Sequence, residues 1–281
     1  MKMYVKALGL VGALALVTAC KEEPPSPAKI HLAAGDKHRV ASEWKEAAAE
    51  YGKSLEADPK QDKLWETKAY CHQQAGDTEG AVATLMKWAE GKTDAAEKAK
   101  LIRFCADLWK QKPDIDKAEQ AYLEAVKVLP TDDESYSWLA EIHAQRGGAK
   151  DIKAQAVPAE LDKAYEYYSK VVSLKPEVPN AYVNQRVVLY KYLAHYKTEK
   201  EAAEAAVKEL EKDKKVEKEK LAEAQAKVEK IQASIDEMQK KLDGVSAKLA
   251  EITKKPQPAA ASSAAAAPAP SASAAAAPAK K

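Results

Sequence analysis

One pattern recurs along the middle of the chain and restricts what it can fold into. An Ala is followed after three residues by an aromatic or Leu, then after two more by a small or apolar residue. Four residues later comes Pro. The pattern reads Ala47, Tyr51, Ser54, Pro59, then Ala118, Tyr122, Ala125, Pro130, then Ala164, Tyr168, Val171, Pro176. A weaker copy is Ala81, Leu85, Trp88, with Thr93 in the proline slot. The leading alanines are spaced by 34, 37 and 46 residues, a period of 34 with insertions of 3 and 12. Self-similarity at this period means stacked units, none of which can bury its apolar face alone. Small and aromatic residues at spacings of three and four place one apolar stripe on a helix.

Each copy is preceded by a second, compatible pattern. A large residue, a medium one, a small one and a further large one fill four slots. They read His31, Ala34, Gly35, His38; Trp65, Lys68, Ala69, His72; Ile102, Cys105, Ala106, Trp109; and Tyr136, Leu139, Ala140, His143. The small slot is Gly or Ala every time, which lets two helices approach closely. Turn residues separate the paired helices at Gly76-Asp77, Pro113-Asp114 and Gly147-Gly148. The 34-residue helix-turn-helix signature resembles the tetratricopeptide repeat (TPR) over residues 28–198. The twelve-residue insertion falls between about Gly148 and Leu161 and predicts an extended loop. A fifth unit begins at Tyr182, with Arg186 in its small slot, and reads as a degenerate terminal repeat.

This resemblance implies an all-α solenoid of four to five repeats whose first helices line a groove. By register with the family, the groove positions include Thr67, Tyr70, Gln73, Arg103, Phe104, Asp107, Trp138, Glu141 and Tyr190. Phe104 and Trp138 hold one slot in successive repeats. Flanked by Arg103 and Glu141, they form a candidate hot spot for a protein partner. The other reading has them packing against the chain's own tail or inserted loop. The chaperone-binding branch of the family clamps a terminal carboxylate with Lys and Asn. The matching slots here are Leu32, Asp36, Thr67, Lys100 and Phe104, of which only Lys100 fits, so that branch is excluded.

The N-terminus is an address. Lys2 and Lys6 precede an apolar run from Ala7 to Val17, too short for a helix to span a ~30 Å bilayer core. Residues 1–19 therefore read as a signal peptide. Val17-Thr18-Ala19-Cys20 resembles a bacterial lipobox, which implies lipidation of Cys20; ordinary signal-peptidase cleavage after Ala19 is the alternative. Residues 20–27 read as a lipidated start and proline-containing tether. Lys21 after the cysteine implies the periplasmic face of the outer membrane.

After Thr198 and Glu201, which read as a capping box, a heptad pattern runs over residues 199–254. Leu221, Val228, Ile235, Leu242 and Leu249 form one seam row; Ile231, Met238, Val245 and Ile252 form the other. The narrow seam predicts a self-associating coiled coil, against the alternative of one helix folding back on the repeats. The flanking positions carry no opposite charges that would set strand orientation. Residues 255–281, rich in Ala, Pro and Ser, predict a disordered tail.

Chemistry is sparse. Lys plus Arg is 45 against 43 Asp plus Glu, so bulk charge gives no basis for nucleic-acid binding. No phosphate loop, nucleophile elbow, Cys-x-x-Cys or zinc-protease motif occurs, so neither an enzyme nor a cofactor is expected. His38, His72 and His143 share one slot, but first helices ~8–10 Å apart would hold them too far from each other for one metal. Cys71 and Cys105 fit buried thiols better than a disulfide. The expectation is a lipid-anchored scaffold for envelope proteins; the alternative is a spacer whose coiled coil is the functional element.

Overall fold

The computed structural model describes residues 24–148, 156–213 and 217–254. Among them every regular element is a helix: α1 (Pro27–Val40), α2 (Trp44–Ala57), α3 (Asp62–Gln74), α4 (Thr78–Glu90), α5 (Ala95–Gln111), α6 (Ile115–Val128), α7 (Asp133–Arg146), α8 (Pro158–Leu174), α9 (Pro179–Lys212) and α10 (Lys218–Lys254). The chain divides into two compact units, one ending at Thr84 and the other starting at Leu85. The signal segment, Cys20 and the tail at 255–281 lie outside the described residues.

The first unit shows how the repeat pattern builds a helix pair. Pro27 opens α1 behind Ser26, whose side chain accepts from the Lys29 amide, so the helix begins within the expected tether. Gly35 meets the Tyr51 ring so closely that a Cβ there would sit 2.5 Å from it. That contact explains why this repeat needs Gly, where the other three hold Ala at the small slot. Ser54 is fully buried and donates to the Ala28 carbonyl at 2.8 Å, so its hydroxyl costs little at an apolar position. In α3 the Trp65 indole donates to the Pro59 carbonyl at 2.9 Å.

The second unit repeats the plan. Ala118, Tyr122 and Ala125 of α6 are buried, as are Ala164, Tyr168 and Val171 of α8. In the fifth unit the Tyr182 hydroxyl donates to the Pro176 carbonyl, the same link over six residues that Trp65 makes. α8 begins at Pro158, inside the stretch expected to be loop, and residues 149–155 lie outside the described part.

Two expectations about the last third are corrected. Thr198 does not start a helix. Its hydroxyl bonds back to the Ala194 carbonyl at 3.1 Å inside α9, which continues to Lys212 through a stretch without a breaker. α9 ends at Lys212 and α10 begins at Lys218, with residues 214–216 outside the described part. Nor does the seam of α10 face outward to a second copy. Ile231, Met238, Leu242, Leu249 and Ile252 are buried, with Leu221, Val228, Ile235 and Val245 partly so. Met238 and Leu242 share a core with Leu161, Ala164 and Tyr168 of α8 and Leu189 and Tyr192 of α9. Leu249 and Ile252 pack with Tyr182. The end of α10 thus meets the start of α9, and the two run antiparallel. The helix folds back because α8 and α9 present an apolar face with no sixth repeat to cover it.

Candidate partner-binding site

In three repeats, the tyrosine of the second helix reaches an acid on the first. The Tyr51 hydroxyl donates to Asp36 at 2.8 Å, Tyr122 to Asp107 at 2.8 Å and Tyr168 to Glu141 at 3.0 Å. The second repeat has Leu85 in the tyrosine slot and Tyr70 in the acid slot, so donor and acceptor are lost together. Burial, reinforced by the neighbouring acid, pushes all three phenols well above the usual tyrosine range. In two of the three a base stands one turn further along. Arg39 Nε donates to the Tyr51 hydroxyl at 3.1 Å, and Lys110 Nζ lies 3.5 Å from Asp107.

In the first unit, Tyr70 is partly exposed and meets the Trp44 ring edge-on at 6.0 Å. Gln73 lies one turn further along α3 and is partly buried.

In the second unit, Phe104 and Trp138 are each 39% exposed. Trp138 stacks on Tyr122 at 6.1 Å, with Lys110 Nζ 2.8 Å from its ring centre. Burial pulls the Lys110 ammonium below its ordinary value, while Asp107 opposes that shift. Arg103 bridges Asp132 at 2.5 Å and Glu134 at 3.0 Å. Asp132 also accepts from the Ser135 hydroxyl at 2.6 Å. Of the expected groove residues, Arg103, Asp107 and Glu141 are therefore held by internal bonds, while Phe104 and Trp138 keep open apolar surface. Tyr190 is exposed on α9. Lys110 lies outside the expected groove set; its sequence signal is the base three residues after an acid, which Asp36 and Arg39 repeat.

The three histidines of the shared slot are also accounted for. His38 Nδ1 lies 2.6 Å from Glu43, His72 Nδ1 2.8 Å from Asp77, and His143 Nδ1 2.6 Å from Glu160. With Asp114, which accepts from the Lys117 amide, these acids stand four residues before each leading alanine. Their register is legible in the sequence; their link to the histidines comes only from the turn that joins the two helices. The Gly80 amide and then His72 hold the Asp77 carboxyl below the usual range; His143 does the same for Glu160. His143 is buried, stacks on Tyr167 and has Glu119 3.2 Å from its second nitrogen. Among the described residues, no three His, Cys, Asp or Glu side chains are placed to hold a metal, and no helix is long and apolar enough to cross a membrane. Cys71 and Cys105 are buried thiols that form no disulfide with each other. Burial pushes them up to about 11 and about 12 respectively.

No family model matches the sequence, and no curated protein matches it. Solved structures do. A TPR protein of Bacteroides fragilis NCTC 9343 superposes with a TM-score of 0.57 at 14% identity, covering 80% of this chain and 94% of that one. A TPR protein of Parabacteroides merdae ATCC 43184 gives 0.41 at 11%, over 83% and 81%. PilF of Pseudomonas aeruginosa gives 0.35 at 16%, over 81% and 96%. The first superposition shows a shared fold, and the internal repeats show why it is shared. The described chain has the all-α tetratricopeptide-repeat fold.

Proposed function

We propose that the chain is a lipid-anchored scaffold that holds a partner protein of the cell envelope through the exposed aromatic residues of α5 and α7. The observation that carries this reading is the pair Phe104 and Trp138. They occupy one slot in neighbouring repeats and remain open while the charges around them are held by internal bonds. A rigid aromatic flanked by fixed charges loses little side-chain freedom on binding, which is what a hot spot needs. The N-terminal segment supports the anchor, since Cys20 follows a signal-like stretch that resembles a lipobox. A doubly or triply acylated cysteine holds a protein on a membrane where a single chain does not. The reading assigns no catalytic group and no cofactor.

The test combines crosslinking in intact cells with fractionation. Phe104→Ala with Trp138→Ala should lose a defined envelope protein that the wild type captures, with the helical circular dichroism unchanged. Cys20→Ala should leave the membrane fraction and lose fatty-acid label. Capture of the same proteins by both forms would remove the aromatic pair from the binding site.

A further inference from the structure

Three of the four arginines have their charge matched inside the chain. Arg39 lies beside Asp36, Arg103 beside Asp132 and Glu134, and Arg146 beside Glu119 and Asp116. Among the described residues Arg186 makes no ion pair; its guanidinium carbon lies 5.9 Å from the Tyr190 ring centre. Within the described residues its one side-chain hydrogen bond goes from a terminal nitrogen to the Tyr190 hydroxyl at 3.4 Å, the long end of the range. Its Nε is buried with no acceptor, alone in this among the buried side-chain nitrogens and oxygens of the described residues. Leaving such a group unpaired is costly unless something else supplies the acceptor.

The repeat register shows what is missing. The slot that holds Asp36, Asp107 and Glu141 in other first helices holds Val187 in α9. The chain therefore supplies no acid on this stretch of α9. Around Arg186 the helix shows Val183, Val187 and Tyr190, which are 42%, 48% and 50% exposed. Their spacing of four and three residues puts them on one face with the guanidinium. From Val183 to Tyr190 the face runs ~10 Å, about the length of three residues of extended chain.

We propose that this face of α9 binds an extended apolar peptide segment through an Asp or Glu side chain, whose carboxylate pairs with Arg186. Aliphatic side chains on either side of the acid cover Val183, Val187 and Tyr190. The charge argues for the occupant: a planar guanidinium without a carboxylate, set in an apolar face, is matched by one acid among aliphatic neighbours. The inference rests on the reading of the chain as a protein-binding scaffold, but it uses residues other than Phe104 and Trp138.

The test measures binding of fluorescein-labelled, C-terminally amidated Leu-Val-Glu-Val-Leu to the full chain. Its Gln counterpart is compared, both amidated and with a free terminal carboxylate. The amidated Glu peptide should bind at least tenfold more tightly than the amidated Gln peptide, and Arg186→Gln should remove that preference. Val183→Glu supplies an internal carboxylate three residues from Arg186. It should abolish peptide binding while keeping or raising the melting temperature, so lost binding is not mistaken for lost folding. Phe104→Ala with Trp138→Ala should leave peptide binding intact, which separates failure here from failure of the aromatic site. Equal binding of Glu and Gln peptides, unchanged binding by Arg186→Gln, or no binding of the Glu peptide would overturn the proposal. Binding by the free-terminus peptide alone would overturn the choice of a side-chain carboxylate.

Discussion

A phenol that donates to a carboxylate at the same place in three helix pairs gives the fold a pH limit. Tyr51, Tyr122 and Tyr168 are buried, and Asp36, Asp107 and Glu141 disfavour a second negative charge beside them. Their folded pKa values lie above the unfolded value of about 10. This contribution to stability is therefore fully present below about pH 10 and is lost as pH rises further. In an alkaline titration followed at 295 nm, these phenols should ionise late and together with the loss of helical circular dichroism. Tyr122→Phe should cost about 1.5–3 kcal/mol at neutral pH, the typical worth of a bond to a charged group, and make the alkaline limb less steep. A second residue-scale expectation concerns the turns. Ser42 and Gly76, 34 residues apart, both adopt left-handed backbone, with φ of 60° and 71°. Only the second is a glycine. Ser42→Gly should raise the urea midpoint, with a gain in unfolding free energy of up to about 1 kcal/mol, because the steric cost of that conformation outweighs the entropy glycine adds to the unfolded chain. A lowered midpoint would mean that Ser42 makes a compensating contact.

At the scale of elements, helix identity was legible wherever small and aromatic residues keep their slots, because one stripe of them needs one partner helix. What the last third packs against was not legible. Heptad spacing reports that a narrow apolar stripe exists on α10; it does not say whether the covering surface belongs to the same chain. That depended on the apolar face of α8 and α9, scattered over Leu161, Ala164, Leu189 and Tyr192. Similarly, a Thr-x-x-Glu spacing suggested a helix start at Thr198, but tertiary packing carries α9 straight through it. The structure makes the role of α10 measurable. Leu242→Ala should destabilise the second unit by about 2–5 kcal/mol, as truncation of a buried leucine does. Lys240→Ala, at an exposed position of the same helix, should stay within about 0.5 kcal/mol. If the two variants melt alike, α10 is not part of the core.

At the scale of the whole molecule, the candidate site was half legible. Register placed Phe104 and Trp138 correctly on first helices. It could not show that Arg103, Asp107 and Glu141 are already engaged, since their partners Asp132, Tyr122 and Tyr168 come from other helices. The same distinction applies to self-association. A coil that pairs with a second copy needs its seam free, yet here the seam forms part of the chain's own core. Releasing α10 would expose Ile231, Met238, Leu242, Leu249 and Ile252, each worth roughly 1.5–3 kcal/mol of burial. A dimer made through that seam would first have to recover this loss, and would then leave the α8–α9 face uncovered. The soluble chain from residue 24 to 254 should therefore sediment as a monomer across the micromolar range. Ile235→Lys, at a partly buried seam position, should lower the melting temperature without changing the sedimenting mass. A dimer in the wild type that this substitution dissociates would show instead that the seam opens to a second copy in solution.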